Sequence, residues 1–239
     1  MVTQESRPRD GTRCLRNAAQ YDPMQRPAGL YLAYLFQFLI AANVLIAFSI
    51  GDYSQVFGGT LALGLTMVPA VVTRRWSITL PWGVNLLVAL SLYLHIAGEI
   101  WGFYVIYYPY YDKVAHLISG VTVSVLAFVI VLLLDRFSRL NLSRWMIVGF
   151  VIIAAMAMEG FWEIYEWLFD TFLGTNLQYG LDDTMLDMIS VLIGSIGVAF
   201  AGNRYLSRSS KEEITGRMVV PEGSGAPGEP VDHEEPRAG

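Results

Sequence analysis

Six long apolar stretches, separated by short polar breaks, dominate the chain between residues 30 and 203. The first, Leu30–Ile50, carries no charged residue. It is longer than a signal-peptide core, which runs to roughly 15 residues, and it matches the ~20 residues that cross about 30 Å of hydrocarbon. A backbone with no water to bond must satisfy itself internally, so each such stretch is expected to be a helix. The same test marks 56–73, 82–104, 112–134, 145–168 and 183–202. The second is short and Gly-rich with Pro69 inside it, which membrane helices tolerate. The expected fold class is therefore all-α, a polytopic transmembrane helix bundle of about six spans within residues 30–203.

The flanks read differently. Residues 1–29 are polar, Arg-bearing and broken by Pro8, Pro23 and Pro27, which suits a disordered arm with a short interfacial helix around Leu15–Tyr21. Residues 204–239 turn polar and end in a Gly/Pro/Glu run from Pro221 (PEGSGAPGEP), too poor in apolar groups to bury a core, so a disordered tail is expected. Composition supports the membrane reading: 54% of residues are hydrophobic and 15% charged, against about 25% charged in soluble domains, and mean hydropathy is +0.44.

The net charge of −5 hides a segregation of signs. Arg7, Arg9, Arg13, Arg16 and Arg26 precede the first span, Arg74 and Arg75 follow the second, and Arg136, Arg139 and Arg144 lie between the fourth and fifth. Arg204, Arg208, Lys211, Arg217 and Arg237 follow the sixth. With six spans, all of these fall on one side; Lys113 alone sits at the other, so fifteen of the sixteen basic residues share a face. The positive-inside rule then predicts cytoplasmic N and C termini in a plasma-membrane protein. The aromatic run Trp101–Tyr111 suits an outer interfacial belt. No basic face for nucleic acid is present. Cys14 is the sole cysteine, which rules out an internal disulfide.

Ionisable side chains inside a bilayer cost about 3 kcal/mol or more each, so they point to function. Here they come in pairs at i, i+4: His95 and Glu99 in the third span, Asp112 and His116 opening the fourth, Glu159 and Glu163 in the fifth, Asp183 and Asp187 opening the sixth. That spacing puts both members of a pair on one helix face. The predicted topology brings all eight to a similar depth in the outer half of the last four helices. With both imidazoles neutral they carry a formal charge of −6, which calls for cations, protons or abundant water. Two divalent metals would remove four of those charges, and carboxylate-plus-histidine ligands suit Zn²⁺, Mn²⁺ or Fe²⁺. Bundles build di-metal sites from such residues, although the Glu-x-x-His spacing usual there is absent.

Plainer roles compete. Asp112 and Asp183 serve equally well as N-caps, which does not exclude ligation. Asp182 reads as a loop or cap residue, Glu166 and Asp170 as solvated helix-end groups, and the Trp and Phe residues of EGFWEIYEW as packing and interface anchors. Glu166, three residues after Glu163, is also within reach of the cluster. Lys113 either snorkels to the interface or neutralises one carboxylate. DKVAHLIS at 112–119 aligns with DTMLDMIS at 183–190, an internal echo that, as a duplication of parallel hairpins, would set the site between the two copies.

The combination HIAGE, YDKVAH with a later Gly120, EGFWEIYEW and YGLDDTMLD resembles the YjdF-type inner-membrane proteins over about residues 82–200, with a weaker echo of VanZ-like proteins in DKVAH. Lys113 stands where that pattern has Arg or a similar residue. The resemblance implies a multi-pass membrane protein with a polar centre and no particular reaction.

Three functional classes follow from the residues. The first is a metal-dependent, membrane-embedded hydrolase or lipid-modifying enzyme opening to the outer leaflet, where it would take a lipid or small-molecule substrate. In it His95, Glu99, Asp112, His116, Glu159, Glu163, Asp183 and Asp187 supply metal ligands, and Glu163 or Asp187 acts as general base. The second is a cation- or proton-coupled transporter, disfavoured by the apolar inner halves Val121–Leu134, Trp145–Met158 and Ser190–Phe200. The third is an accessory protein whose polar groups only fix packing, at about 0.6 kcal/mol per interhelical hydrogen bond.

Overall fold

The computed structural model describes residues 27–76 and 78–219. Nine helices account for nearly all of them, and they make six spans long and apolar enough to cross a membrane, five from single helices and one from two consecutive helices over Tyr53–Trp76. In chain order they are α1 (Pro27–Ile50), α2 (Tyr53–Thr66), α3 (Val68–Trp76), α4 (Trp82–Ile100), α5 (Phe103–Ile106), α6 (Tyr110–Ser138), α7 (Arg144–Leu173), α8 (Leu181–Leu206) and α9 (Lys211–Gly216). No strand forms among the described residues; one antiparallel bridge pairs Ile78 with Val219.

Local chemistry sets the breaks. Asp52 caps α2 by accepting from the Gln55 N–H, and Ser143 caps α7 by accepting from the Met146 N–H. Helix α2 stops at Met67 because Pro69, lacking an N–H, cannot extend its hydrogen-bond ladder. The second span is thus α2 and α3 together, longer than the expected 56–73. The third span ends at Ile100 rather than 104. Gly102 there takes the left-handed conformation (φ 66°), closed to most side chains, and starts the short α5.

Two groups of helices result. Helix α1 packs on α2 and α4, α8 packs on α6 and α7, and the α4–α6 contact joins the groups. Helices α6 and α8 run parallel in backbone contact. A Cβ on Gly120 would lie 2.7 Å from Val191 Cα, and one on Gly194 would lie 2.9 Å from the Leu117 carbonyl oxygen. Asp112 near Asp183 and His116 near Asp187 are pairs that the internal echo aligns, and Gly120 on Val191 lies one position beyond it in the same register.

The tail departs from expectation. Residues 204–219, assigned by composition to a disordered segment, finish α8 and fold back as α9 against the end of α6. Ile214, Thr215 and Met218 are buried, the first and last of them with Leu132, Ile147 and Val151. Lys211 bonds the Asp135 carboxylate and the Leu142 carbonyl, Arg136 donates to Thr215 Oγ1 (3.0 Å), and Thr79 N donates to the Met218 carbonyl (2.7 Å). Charged and polar partners supply here what apolar residues do in a core. The arm at 1–26, including the helix expected at Leu15–Tyr21, and the tail at 220–239 lie outside the described residues.

Candidate functional site

The first turns of α6 and α8 and the middle of α7 meet near one end of the bundle. Because α6 and α8 touch at Gly120 and Gly194, their preceding turns hold Asp112, His116, Asp183 and Asp187 close together. All four are buried, as are Glu159 and Glu163 from α7. Neither aspartate is an N-cap: Pro109 and Gly180 occupy those positions.

Lys113 lies at the centre. Its ammonium donates to Asp112 Oδ2 (2.9 Å), Asp183 Oδ1 (2.5 Å) and both oxygens of Asp187 (2.8 and 2.9 Å). It bonds the Asp183 carbonyl as well (3.3 Å). Of the two roles open to Lys113, neutralisation is the one observed, and it reaches three carboxylates rather than one.

His116 bridges to the second half of the site. Its Nδ1 is 2.6 Å from Glu159 Oε1, and its Nε2 is 3.3 Å from Asp112 Oδ1 and 3.9 Å from Asp187 Oδ1. Two sets of potential ligand atoms therefore share this imidazole, Asp112–His116–Asp187 and His116–Glu159–Glu163, each with its atoms within 4.8 Å of one another. They differ in one respect. Lys113 already occupies the first set, whereas Glu163 Oε1 in the second has no hydrogen-bond partner among the described residues, although Glu163 is only 6% exposed. A buried carboxylate oxygen without a donor forfeits solvation with nothing in return.

The remaining pair divides. His95 approaches the cluster, with its ring 5.5 Å from that of His116 and 5.2 Å from Trp162. Both its nitrogens, however, are engaged by hydroxyls, Nδ1 by Tyr104 (2.8 Å) and Nε2 by Ser119 (3.0 Å). Glu99 does not join. It is exposed at the last turn of α4 and accepts from Gln55 Nε2 of α2 (3.3 Å). Glu166 accepts from the Trp162 indole N–H (2.8 Å), four residues away on its own helix, and Asp182 is exposed.

Two contributors have no periodic signal in the sequence. Asp170, read as solvated, instead organises the loop after α7: it accepts from Thr175 Oγ1 (2.7 Å) and from the N–H groups of Leu177 and Gln178 (2.8 Å each). Gln178 then turns inward, donating to Thr184 Oγ1 (2.8 Å) and, at the limit of a hydrogen bond, to Glu163 Oε2 (3.5 Å). In the same loop, burial, reinforced by nearby carboxylates, pushes the Tyr179 phenol above its ordinary range, so it stays protonated.

The charge ledger is unbalanced. Fully ionised, Asp112, Glu159, Glu163, Asp183 and Asp187 would carry five negative charges against two positive ones among the described residues around them, Lys113 and a protonated His116, so that three would call for a cation or for protons. Such an arrangement can hold a cation or exchange protons.

No curated protein and no solved structure matches this sequence. The family described as "Predicted membrane protein (DUF2238)" matches residues 31–208, a stretch that takes in the first span from residue 31 on, the other five whole and every residue of the cluster. The chain belongs to this family of predicted membrane proteins.

Proposed function

We propose that the chain is a membrane-embedded, metal-dependent enzyme, a hydrolase or lipid-modifying activity, with one divalent cation held by His116, Glu159 and Glu163. The observation that carries this reading is Glu163 Oε1, buried and without a donor among the described residues, beside two further ligand-type side chains. A second metal on Asp112, Asp183 and Asp187 is not part of the proposal, since the Lys113 ammonium already compensates them. His95 is left out as a ligand because both its nitrogens are engaged, and Glu99 because it faces α2.

The cation would supply Lewis-acid activation of water or of a substrate oxygen. The protein's part is positional. Asp112, 3.3 Å from Nε2, orients the His116 ring so that Nδ1 faces Glu159 and the cation, and Lys113 holds Asp187 by both oxygens. Asp187, 2% exposed and 3.9 Å from His116, is the carboxylate placed to take up a proton during turnover. The paired motifs support a likeness to the YjdF-type inner-membrane proteins. The charge asymmetry of the loops supports cytoplasmic termini and a cluster toward the outer leaflet of the plasma membrane, which makes lipid the substrate class we propose.

Transport would need polar steps across the rest of the bundle. Two of the hydroxyls there are spent locally, Thr122 on the Ile118 carbonyl and Ser195 on the Leu192 carbonyl (2.8 Å each), and the buried Ser124 Oγ has no partner among the described residues to continue a polar path. The test is reconstitution into phospholipid vesicles with Mn²⁺ or Zn²⁺, following lipid composition by mass spectrometry and metal flux in parallel. Turnover that disappears in Glu163→Gln and His116→Ala, without net flux, is the expected result. Flux without turnover would overturn the enzyme reading in favour of transport.

A further inference from the structure

The loop between α7 and α8 spans residues 174–180 and folds back over the cluster instead of running straight between the helix ends. Asp170 ties it down with both carboxylate oxygens, and the Tyr179 N–H donates to Asp183 Oδ2 (3.2 Å). The Tyr179 ring also packs on Tyr108 at 5.6 Å. So pinned, the loop delivers a single side chain to the buried carboxylates. That side chain is Gln178.

Its carboxamide is only partly committed. The bond to Thr184 Oγ1 is short, but Glu163 Oε2 is 3.5 Å away, at the outer limit for a hydrogen bond. A carboxamide has a donor end and an acceptor end on one planar group, and turning it over exchanges them. With the nitrogen inward, Gln178 caps one Glu163 oxygen. With the oxygen inward, it presents a neutral ligand to whatever cation the other oxygen, Oε1, holds.

Resting on the cation site proposed above, we infer that Gln178 is a further ligand of that site and sets its metal preference toward oxygen-seeking divalent cations of the Mn²⁺ class. His116, Glu159, Glu163 and Gln178 together offer one nitrogen and an oxygen-rich remainder, the donor set that suits Mn²⁺ in six-fold coordination. Zn²⁺ is satisfied by three protein ligands and a water in four-fold coordination and has less need of the amide. Asp170 is a positioning residue: it touches no ligand atom of the site and acts by holding the loop that carries Gln178.

The experiment uses the full chain in detergent, with Mn²⁺ binding read from the electron paramagnetic resonance signal of the free ion and Zn²⁺ binding from competition. Gln178→Ala is expected to weaken Mn²⁺ about tenfold, within the 10–100-fold range for disturbing a metal's supporting groups, while Zn²⁺ weakens less than about threefold. Gln178→Glu, which keeps an oxygen at the same reach, restores Mn²⁺ binding. Asp170→Asn follows Gln178→Ala. Mn²⁺ affinity in Gln178→Ala within twofold of the unaltered protein, or an equal loss for both metals, overturns the inference and leaves the cation site standing. If the unaltered protein binds neither metal, the proposed site itself falls.

Discussion

Replacing Lys113 by Met removes one ammonium and keeps much of the side-chain volume. Three aspartates then lose their common partner, and their side chains are 10%, 5% and 3% exposed. Breaking a buried ion pair by deleting one member costs about 3–5 kcal/mol, because the other charge is left desolvated and unpaired. Lys113 itself is 17% exposed, which argues for the lower end, about 3 kcal/mol. At roughly 2–4 °C per kcal/mol for a chain of this size, Lys113→Met is expected to lower the melting temperature by about 6–12 °C. The assay is thermal unfolding in detergent by circular dichroism, with a chelator present so that no metal replaces the ammonium. Asp183→Asn in the same background removes one of the stranded charges. The double variant should therefore be more stable than the two single losses added, by about 1–3 kcal/mol. A melting point for Lys113→Met within about 1 °C of the unaltered protein would mean that Lys113 does not compensate the three aspartates. So would a cycle additive to within about 0.5 kcal/mol.

At the opposite end of α6, Lys211→Ala removes the cation that Asp135 and the Leu142 carbonyl share. A loss of about 2–3 kcal/mol, that of a hydrogen bond to a charged group, is expected, together with faster proteolysis within 204–219 by trypsin; unchanged proteolysis would contradict the docked α9. Gly120→Leu forces a side chain into the Val191 backbone, where even a Cβ would sit at 2.7 Å. Overpacking of this kind costs about 1–3 kcal/mol or more and, by separating α6 from α8, is expected to abolish metal retention as well; normal melting and metal content would count against the close crossing. Cys14, the single cysteine, reports on topology. A membrane-impermeant maleimide should label it only after permeabilisation of cells, and labelling of intact spheroplasts would reverse the proposed orientation.

The membrane spans were legible because their signal is local: length and hydropathy decide whether a segment can cross a bilayer. The i, i+4 pairs were legible for the same reason, since a helix places its own residues on a face wherever it packs. What a face meets is not local information. His95 and Glu99 share a face, yet Glu99 sits one turn further along, at the end of α4, where Gln55 of α2 meets it. Lys113 is next to Asp112 in sequence, and its reach to Asp183 and Asp187 depends on the α6–α8 approach that Gly120 and Gly194 permit. Gln178 had no periodic signal at all, because a loop's direction is set by its pins, here the Asp170 carboxylate. Composition also misread residues 204–219: a polar segment packs when Asp135 and Arg136 of α6 offer partners at the right points.

The proposed seat of the divalent cation is the second set of ligand atoms, on His116, Glu159 and Glu163. Elemental analysis of the protein purified in detergent without chelator tests it most directly, with His116→Ala and Glu163→Gln purified alongside. About one transition-metal ion per chain in the unaltered protein, and its loss from both variants while their helical content is retained, is the predicted result. An unaltered protein free of transition metal, or variants that keep the same metal content, would contradict it.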